Sequence, residues 1–256
     1  MSIGSTSDNA GGAVGSRVAH DTLSPPQANT RTDRGIDDGF SVIVVAATKG
    51  GVGKTTLTLN LAAAAEAAGD GPSAMLDMDP QGSLTHLYNR RGRDGGPVML
   101  ARGEGDLAET LAVARRSGIR MVVIDTPPAF LDMIRACVAV ADLVVVPARP
   151  SPLDLEAVGP TIDIVEAAGK PLVLVVNAAK PRTRLKSDAG RVLAQHGKVA
   201  PVDLVDRIVY SEAMIDGLAA TEYDPLGPAN KEVGQLYEYI ERQLRRRPGA
   251  ATGGPS

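Results

Sequence analysis

Tryptophan is absent from the 256 residues, and phenylalanine occurs only twice and tyrosine five times. A core of any size must therefore be built from Val, Leu, Ile and Ala. The single cysteine, Cys137, excludes an intramolecular disulfide and fits a reducing compartment. The three histidines, His20, His86 and His196, stand far apart, with no cysteine or carboxylate at ligand spacing, which argues against an imidazole-based metal site. No apolar run reaches the roughly 18 to 20 residues of a membrane span. The first residues, Met1-Ser2-Ile3-Gly4-Ser5, lack the basic and apolar regions of a secretory signal. A cytoplasmic protein with no membrane partner is the expectation. The net charge of -3 gives no global signal for nucleic acid, so any such binding needs a local basic cluster.

The length suits one α/β domain with a sizeable core, or two small ones. Residues 1–39 are rich in Gly, Ser, Thr, Asn, Asp and Pro without apolar periodicity, and read as a disordered extension. It is either a plain tail or a partner-contacting arm using Arg17, Arg31 or Arg34. Residues 40–247 read as one ordered domain and 248–256 as a flexible tail. Within the domain, short β-branched strands are expected at 41–47, 73–78, 120–124, 143–147 and 172–176. Helices are expected at 55–68, 107–117, 131–141, 152–168, 184–196 and 229–246. The last carries an apolar stripe of Val233, Leu236, Tyr237, Ile240 and Leu244. Residues 89–105, rich in Gly and Arg, read as a surface loop. Strands without alternation, separated by helices, predict an α/β fold: a twisted, mostly parallel sheet with helices on both faces.

Lys49-Gly50-Gly51-Val52-Gly53-Lys54-Thr55-Thr56 lies between the first strand and the first helix. Such a loop directs several backbone N–H groups and the positive helix end at one point, which suits a polyphosphate. Gly50, Gly51 and Gly53 allow the turn and a close approach by the ligand. Lys54 would reach the β- and γ-phosphates of ATP, and the Thr55 hydroxyl would hold Mg²⁺. The general pattern G-x-x-x-x-G-K-[ST] wants glycine at position 48, where this chain has Thr48 followed by Lys49. A second lysine beside the cradle is costly unless it meets an anion. Its own site's anion is already held by Lys54, which suggests a homodimer closed over ATP.

Three motifs, KGGVGKTT at 49–56, DMDPQGS at 77–83 and VIDTPP at 123–128, together resemble the ParA/MinD group of deviant Walker A P-loop ATPases. PARPSPLDLEAV at 147–158 and TEYDP at 221–225 resemble its small partition members, which lack an N-terminal helix-turn-helix domain. The resemblance spans about residues 41–245. It implies that Lys49 contacts the partner subunit's nucleotide and that Asp79 positions the attacking water, although Asp79 could also serve as a helix cap. It implies that Asp125 binds Mg²⁺ and that Asn177 reads the adenine edge; a turn-forming role for Asn177 stays open. Asp77, inside its strand, tunes the metal or the loop. The implied function is slow ATP hydrolysis acting as a timer. An ATP-bound dimer holds DNA without sequence preference at the nucleoid until a ParB-like partner stimulates turnover. Candidate DNA contacts are Lys180, Arg182, Arg184 and Lys186, then Arg207, then Arg245, Arg246 and Arg247; each cluster could equally be a solvated face. Plasmid or chromosome partition is the expected task, and a protein cargo such as a chemoreceptor cluster or carboxysome the alternative. A MinD-like membrane role fits poorly, since PGAATGGPS at 248–256 has no apolar face. An electron-transfer role needs two cysteines per subunit. A non-catalytic scaffold would be favoured by loss of Lys54 or Asp79, and both are present.

Overall fold

The computed structural model describes residues 39–92, 95–102, 106–181 and 183–246, without the side chains of 185–187. The 1–39 extension (apart from Gly39), the 248–256 tail, Arg182, Arg247 and the side chain of Lys186 lie outside the described residues. Among those described, the elements follow in the order β1 (Ser41–Val45), α1 (Lys54–Ala67), β2 (Ser73–Asp77), α2 (Ser83–Tyr88), β3 (Val98–Met99), α3 (Leu107–Arg116), β4 (Met121–Asp125) and α4 (Leu131–Val140). There follow β5 (Leu143–Ala148), α5 (Pro152–Glu156), α6 (Gly159–Ala167), β6 (Leu172–Val176), α7 (Arg184–Leu193), α8 (Ile208–Ile215), α9 (Ala220–Tyr223) and α10 (Pro228–Arg245).

The strands form one sheet in the order β3-β2-β4-β1-β5-β6, and every pairing is parallel. All five strand expectations hold to within two residues at each end. The β1 residues Val42 and Val44 enter one apolar layer and Ile43 and Val45 the other, so both faces of the strand are covered. This is why the run lacks alternation. Helices α3, α4, α6 and α7 cover the first face; α1, α10 and part of α2 cover the second. Helix α1 is buried almost all round, because Ala62 to Ala65 present so little bulk that the sheet and α10 can both approach it. The expected α10 stripe is the buried face, and the Tyr237 hydroxyl reaches Asp70 Oδ2 at 3.0 Å. No helix among the described residues is long and apolar enough to cross a membrane.

The structure departs from the sequence-based reading at three places. The helix expected over 152–168 is two helices. Pro160 has no N–H for the carbonyl of Glu156 and its ring would clash there, so α5 stops and α6 begins one turn later. The 89–105 stretch is not loop throughout: Val98 and Met99 pair with Ala74 and Met75 as an edge strand, too short to show a period. Helices α2, α8 and α9 are short and their packing comes from tertiary neighbours, so periodicity did not reveal them.

Ile240 is fully buried between α10 and the sheet. Ile240→Ala should lower unfolding free energy by about 2–5 kcal/mol in urea denaturation. Ile215→Ala, on a residue 69% exposed, should change it by less than about 0.5 kcal/mol. Equal effects would contradict the packing described.

Candidate nucleotide-binding site

The sheet order places the carboxyl ends of β2, β4, β1 and β5 side by side, and the loop at 46–53 rises from the middle of that edge. Gly53 is the N-cap of α1 with φ 95°, and Gly51 has φ 74°. At Gly53 a Cβ would also fall 2.3 Å from Asn177 Nδ2, so backbone angle and space both require glycine.

Four ties hold the loop. Asn177 Nδ2 donates to Val52 O at 2.7 Å. Thr48 N donates to Thr161 Oγ1 at 3.0 Å, and Thr48 Oγ1 to Ala157 O at 3.3 Å. Ala129 N donates to Thr48 O at 3.0 Å. The break between α5 and α6 is thus what offers Ala157 and Thr161 to the loop. The two non-glycine residues with positive φ among those described, Ala129 at 60° and Ala178 at 51°, follow β4 and β6 at this same edge. Strain of this kind gathers at binding sites.

Lys54 is buried, and among the described residues its ammonium donates only to the carbonyl of Lys49, at 3.2 Å. Burial lowers its pKa, against the opposing pull of Asp125 and Asp79. Thr55 Oγ1 donates to Asp125 Oδ2 at 2.6 Å. Asp125 ends β4 and is 1% exposed, and its other oxygen, Oδ1, is buried with no hydrogen-bond partner among the described residues. Burial raises the Asp125 carboxyl to about 7, while the Thr55 hydrogen bond pulls the other way. A hydroxyl beside an unsatisfied carboxylate oxygen is a pair of hard oxygen donors of the kind that would hold a Mg²⁺ ion. Among the described residues no cluster of three metal-ligating side chains occurs, so an ion here would complete its shell from phosphate and water.

Asp77 organises the neighbouring turn, accepting from Asp79 N, Thr85 N and Thr85 Oγ1 at 3.0, 2.9 and 3.1 Å. Asp79 does not cap α2, whose N-cap is Gly82. One of its oxygens accepts from Gln81 N at 2.9 Å, and the carboxylate lies close enough to Lys54 and Asp125 to act on both electrostatically.

Lys49 meets an anion within its own chain: its Nζ lies 2.6 Å from Asp154 Oδ1. Burial pushes the Asp154 carboxyl up, but hydrogen bonds from Lys49 and Ser151 outweigh it and hold the group below the usual carboxylate range. Sequence reasoning passed over Asp154, although Ser151-Pro152-Leu153-Asp154 is a capping-box spacing that marks a helix start.

Beside the loop a cavity of about 130 Å³ is lined by Gly53, Thr56, Arg149, Asn177, Tyr210 and their neighbours. The cavity opens beside the loop, next to Gly53 and Thr56. Asn177 Nδ2 gives one of its two hydrogens to Val52 O, which leaves the second hydrogen as a donor and Oδ1 as an acceptor for a ligand. Thr56 turns its hydroxyl to Met214 Sδ at 3.4 Å, so only its backbone is offered to phosphate. Arg207 lies at the cavity wall, bonded to Glu232. Lys180 and Arg184 are exposed beyond β6, and Arg245 is paired with Glu241 on α10.

Asp125 sets a pH dependence. Titrating near 7 in the fold against about 4 when unfolded, it keeps a proton that the unfolded chain has released. Stability of the nucleotide-free protein should therefore fall, on this group's account, as pH rises from about 4 to about 7. Asp125→Asn should remove that slope and raise the melting temperature at pH 8 by about 2–4 °C for each kcal/mol relieved. An unchanged or lower melting temperature at pH 8 would contradict the burial described.

Residues 43–220 match the family described as CbiA, the CobQ/CobB/MinD/ParA nucleotide binding domain. The chain is 31% identical over 209 residues to the maintenance of carboxysome distribution protein A of Halothiobacillus neapolitanus, covering 77% of this chain and 95% of that protein. It is 27% identical over 243 residues to the chromosome-partitioning ATPase Soj of Thermus thermophilus, covering 79% and 96%. MinD in the MinC:MinD cell division complex of Aquifex aeolicus has the same fold, with a TM-score of 0.65 at 19% identity over 79% of this chain and 96% of that one. A phosphate loop clamped at the centre of a six-stranded parallel sheet agrees with these likenesses, and the chain belongs to the ParA/MinD family of P-loop ATPases.

Proposed function

We propose that the protein is a Mg²⁺-dependent, slow ATPase that dimerises over ATP, holds DNA without sequence preference while ATP-bound, and positions a cargo through an adaptor protein that stimulates hydrolysis. The observation that carries this reading is the contrast between the two lysines of one loop. Lys54 is buried at the loop's own phosphate position. Lys49 is at the rim, beside the segments carrying the exposed apolar side chains Phe130 (61% exposed) and Leu153 (71%). A cation set among exposed apolar groups suits a second subunit better than water.

In the proposed reaction Lys54 binds the β- and γ-phosphates, and Thr55 and Asp125 hold Mg²⁺. The ion would neutralise charge developing on the phosphate oxygens. Asp79 orients a water for in-line attack on the γ-phosphorus. A bond forms from water oxygen to phosphorus, the bond to the β-bridging oxygen breaks, and ADP and phosphate leave, the water's proton passing to solvent. Asn177 would offer Oδ1 to the exocyclic amine of adenine and its second Nδ2 hydrogen to a ring nitrogen. For DNA, Lys180 and Arg184 remain candidates at the loop's own edge, as do Arg182 and Lys186 by sequence. Arg207 is the weakest, since Glu232 already neutralises it.

Plasmid or chromosome partition with a ParB-like partner is supported by the likeness to Soj. Positioning of a protein cargo is supported by the higher identity to the carboxysome distribution protein. The cargo is chosen by the adaptor, so the two readings share one nucleotide cycle.

Lys54→Ala should abolish ATP binding in titration calorimetry. Asp79→Ala should bind ATP and accumulate as dimer, with turnover reduced at least about 100-fold; normal turnover would remove its role. Lys49→Ala should elute as an ATP-bound monomer, and an undiminished dimer would break the cross-subunit reading. Wild-type protein should bind a mixed-sequence duplex with ATP but not with ADP, and more weakly at higher salt. Absence of binding in every state would overturn the DNA step.

A further inference from the structure

Two guanidinium groups line the cavity beside the phosphate loop, and they differ in what holds them. Arg207 is locked to Glu232, with Nε to Oε1 at 3.2 Å and Nη2 to Oε1 at 2.5 Å, while Glu232 Oε2 also accepts from Val205 N. Its charge is spent inside the protein. Arg149 is different. Among the described residues no carboxylate oxygen lies within 4.0 Å of its guanidinium. The acid that feels its charge is Asp154, whose oxygens are already taken by Lys49 and Ser151.

The fold fixes where Arg149 stands. It follows directly on β5, whose last residue, Ala148, is in register with Val176 of β6, and Ala148 O accepts from Asn177 N at 2.8 Å. Arg149 and Asn177 therefore leave adjacent strand ends on the same side of the loop. The cavity they share touches Gly53 and Thr56 but neither Lys54 nor Thr55. It thus lies beyond the β- and γ-phosphate end of the loop, where sugar and first phosphate meet. An exposed, uncompensated guanidinium at that junction has an anion to find, and its planar fork of donors suits a phosphate.

We propose that Arg149 is a nucleotide-binding residue whose guanidinium contacts the α-phosphate of the bound nucleotide. This rests on the reading of the loop as an ATP site. Lys54 and Thr55 grip the distal phosphates, Asn177 the base, and Arg149 closes the span between them. Its contact is present with ATP and ADP alike, so it sets affinity for the nucleotide and leaves the ATP-specific switch to Lys49 and Asp79.

The test is competition of AMP, ADP, ATP and 2′-deoxy-ADP against a fluorescent ADP analogue, on wild type, Arg149→Ala, Arg149→Lys and, as a charge control, Arg191→Ala. The Arg191 side chain is 82% exposed on α7. Arg149→Ala should weaken all four nucleotides by the same factor, roughly tenfold for one lost charge-assisted contact. Arg149→Lys should recover part of the loss, and Arg191→Ala should change nothing. Unaltered AMP and ADP affinity in Arg149→Ala would overturn the assignment, including the case in which ATP alone suffers. A loss that disappears with 2′-deoxy-ADP would also overturn it, because the contact would then be to the ribose. Failure of the wild-type protein to bind any of the four would bring down the ATP site and this assignment together.

Discussion

An ammonium group buried with, among the described residues, only a backbone carbonyl to donate to is the constraint around which this molecule is arranged. Desolvation penalises the charged form of Lys54, and Asp125 and Asp79 oppose that penalty through space without forming an ion pair with it. The positive charge is therefore held ready for an anion that is not part of the protein. The surroundings serve to keep that position from collapsing. Asn177, Thr161, Ala157 and Ala129 tie the loop at four points drawn from three different chain segments. Ala129 and Ala178 accept positive φ at the ends of the flanking strands.

The same edge carries a second lysine in the opposite condition. Lys49 is about one-third exposed and neutralised by Asp154, which is fixed at the start of a five-residue helix by its own cap. The break that makes α5 so short also supplies the groups that bind Thr48. The helix bearing the counterion of Lys49 and the anchor of the phosphate loop are therefore one structural unit. Asp154 on α5 pairs with Lys49, and Ala157, just after α5, accepts from Thr48 of the same loop.

Charge is also apportioned unevenly around the cavity. Arg207 is consumed by Glu232, whereas Arg149 has no such partner among the described residues, although both are arginines beside the same pocket. One guanidinium at this pocket is neutralised by the protein's own carboxylate, and the other, exposed, is left available to a ligand. The distinction depends on partners apart in sequence, since α8 and α9 lie between Arg207 and Glu232.

The sequence by itself determined the parallel α/β architecture, the five main strands and the apolar stripe of α10, and it singled out the glycine loop at 49–56. These rest on local signals: both faces of a β-branched run, a 3.6-residue period, glycines where φ must be positive. The tertiary structure decided what those signals could not carry. It divided 152–168 into two helices, added Val98 and Met99 to the sheet edge, and found packing for the short helices α2, α8 and α9. It also decided which charges are spent and which are free. Asp154 for Lys49, Glu232 for Arg207, and, among the described residues, no carboxylate within 4.0 Å of Arg149 are relations among residues brought together only when the strand ends line up. An ion pair or an orphaned oxygen such as Asp125 Oδ1 is a property of distance and burial, and neither exists until the chain has folded.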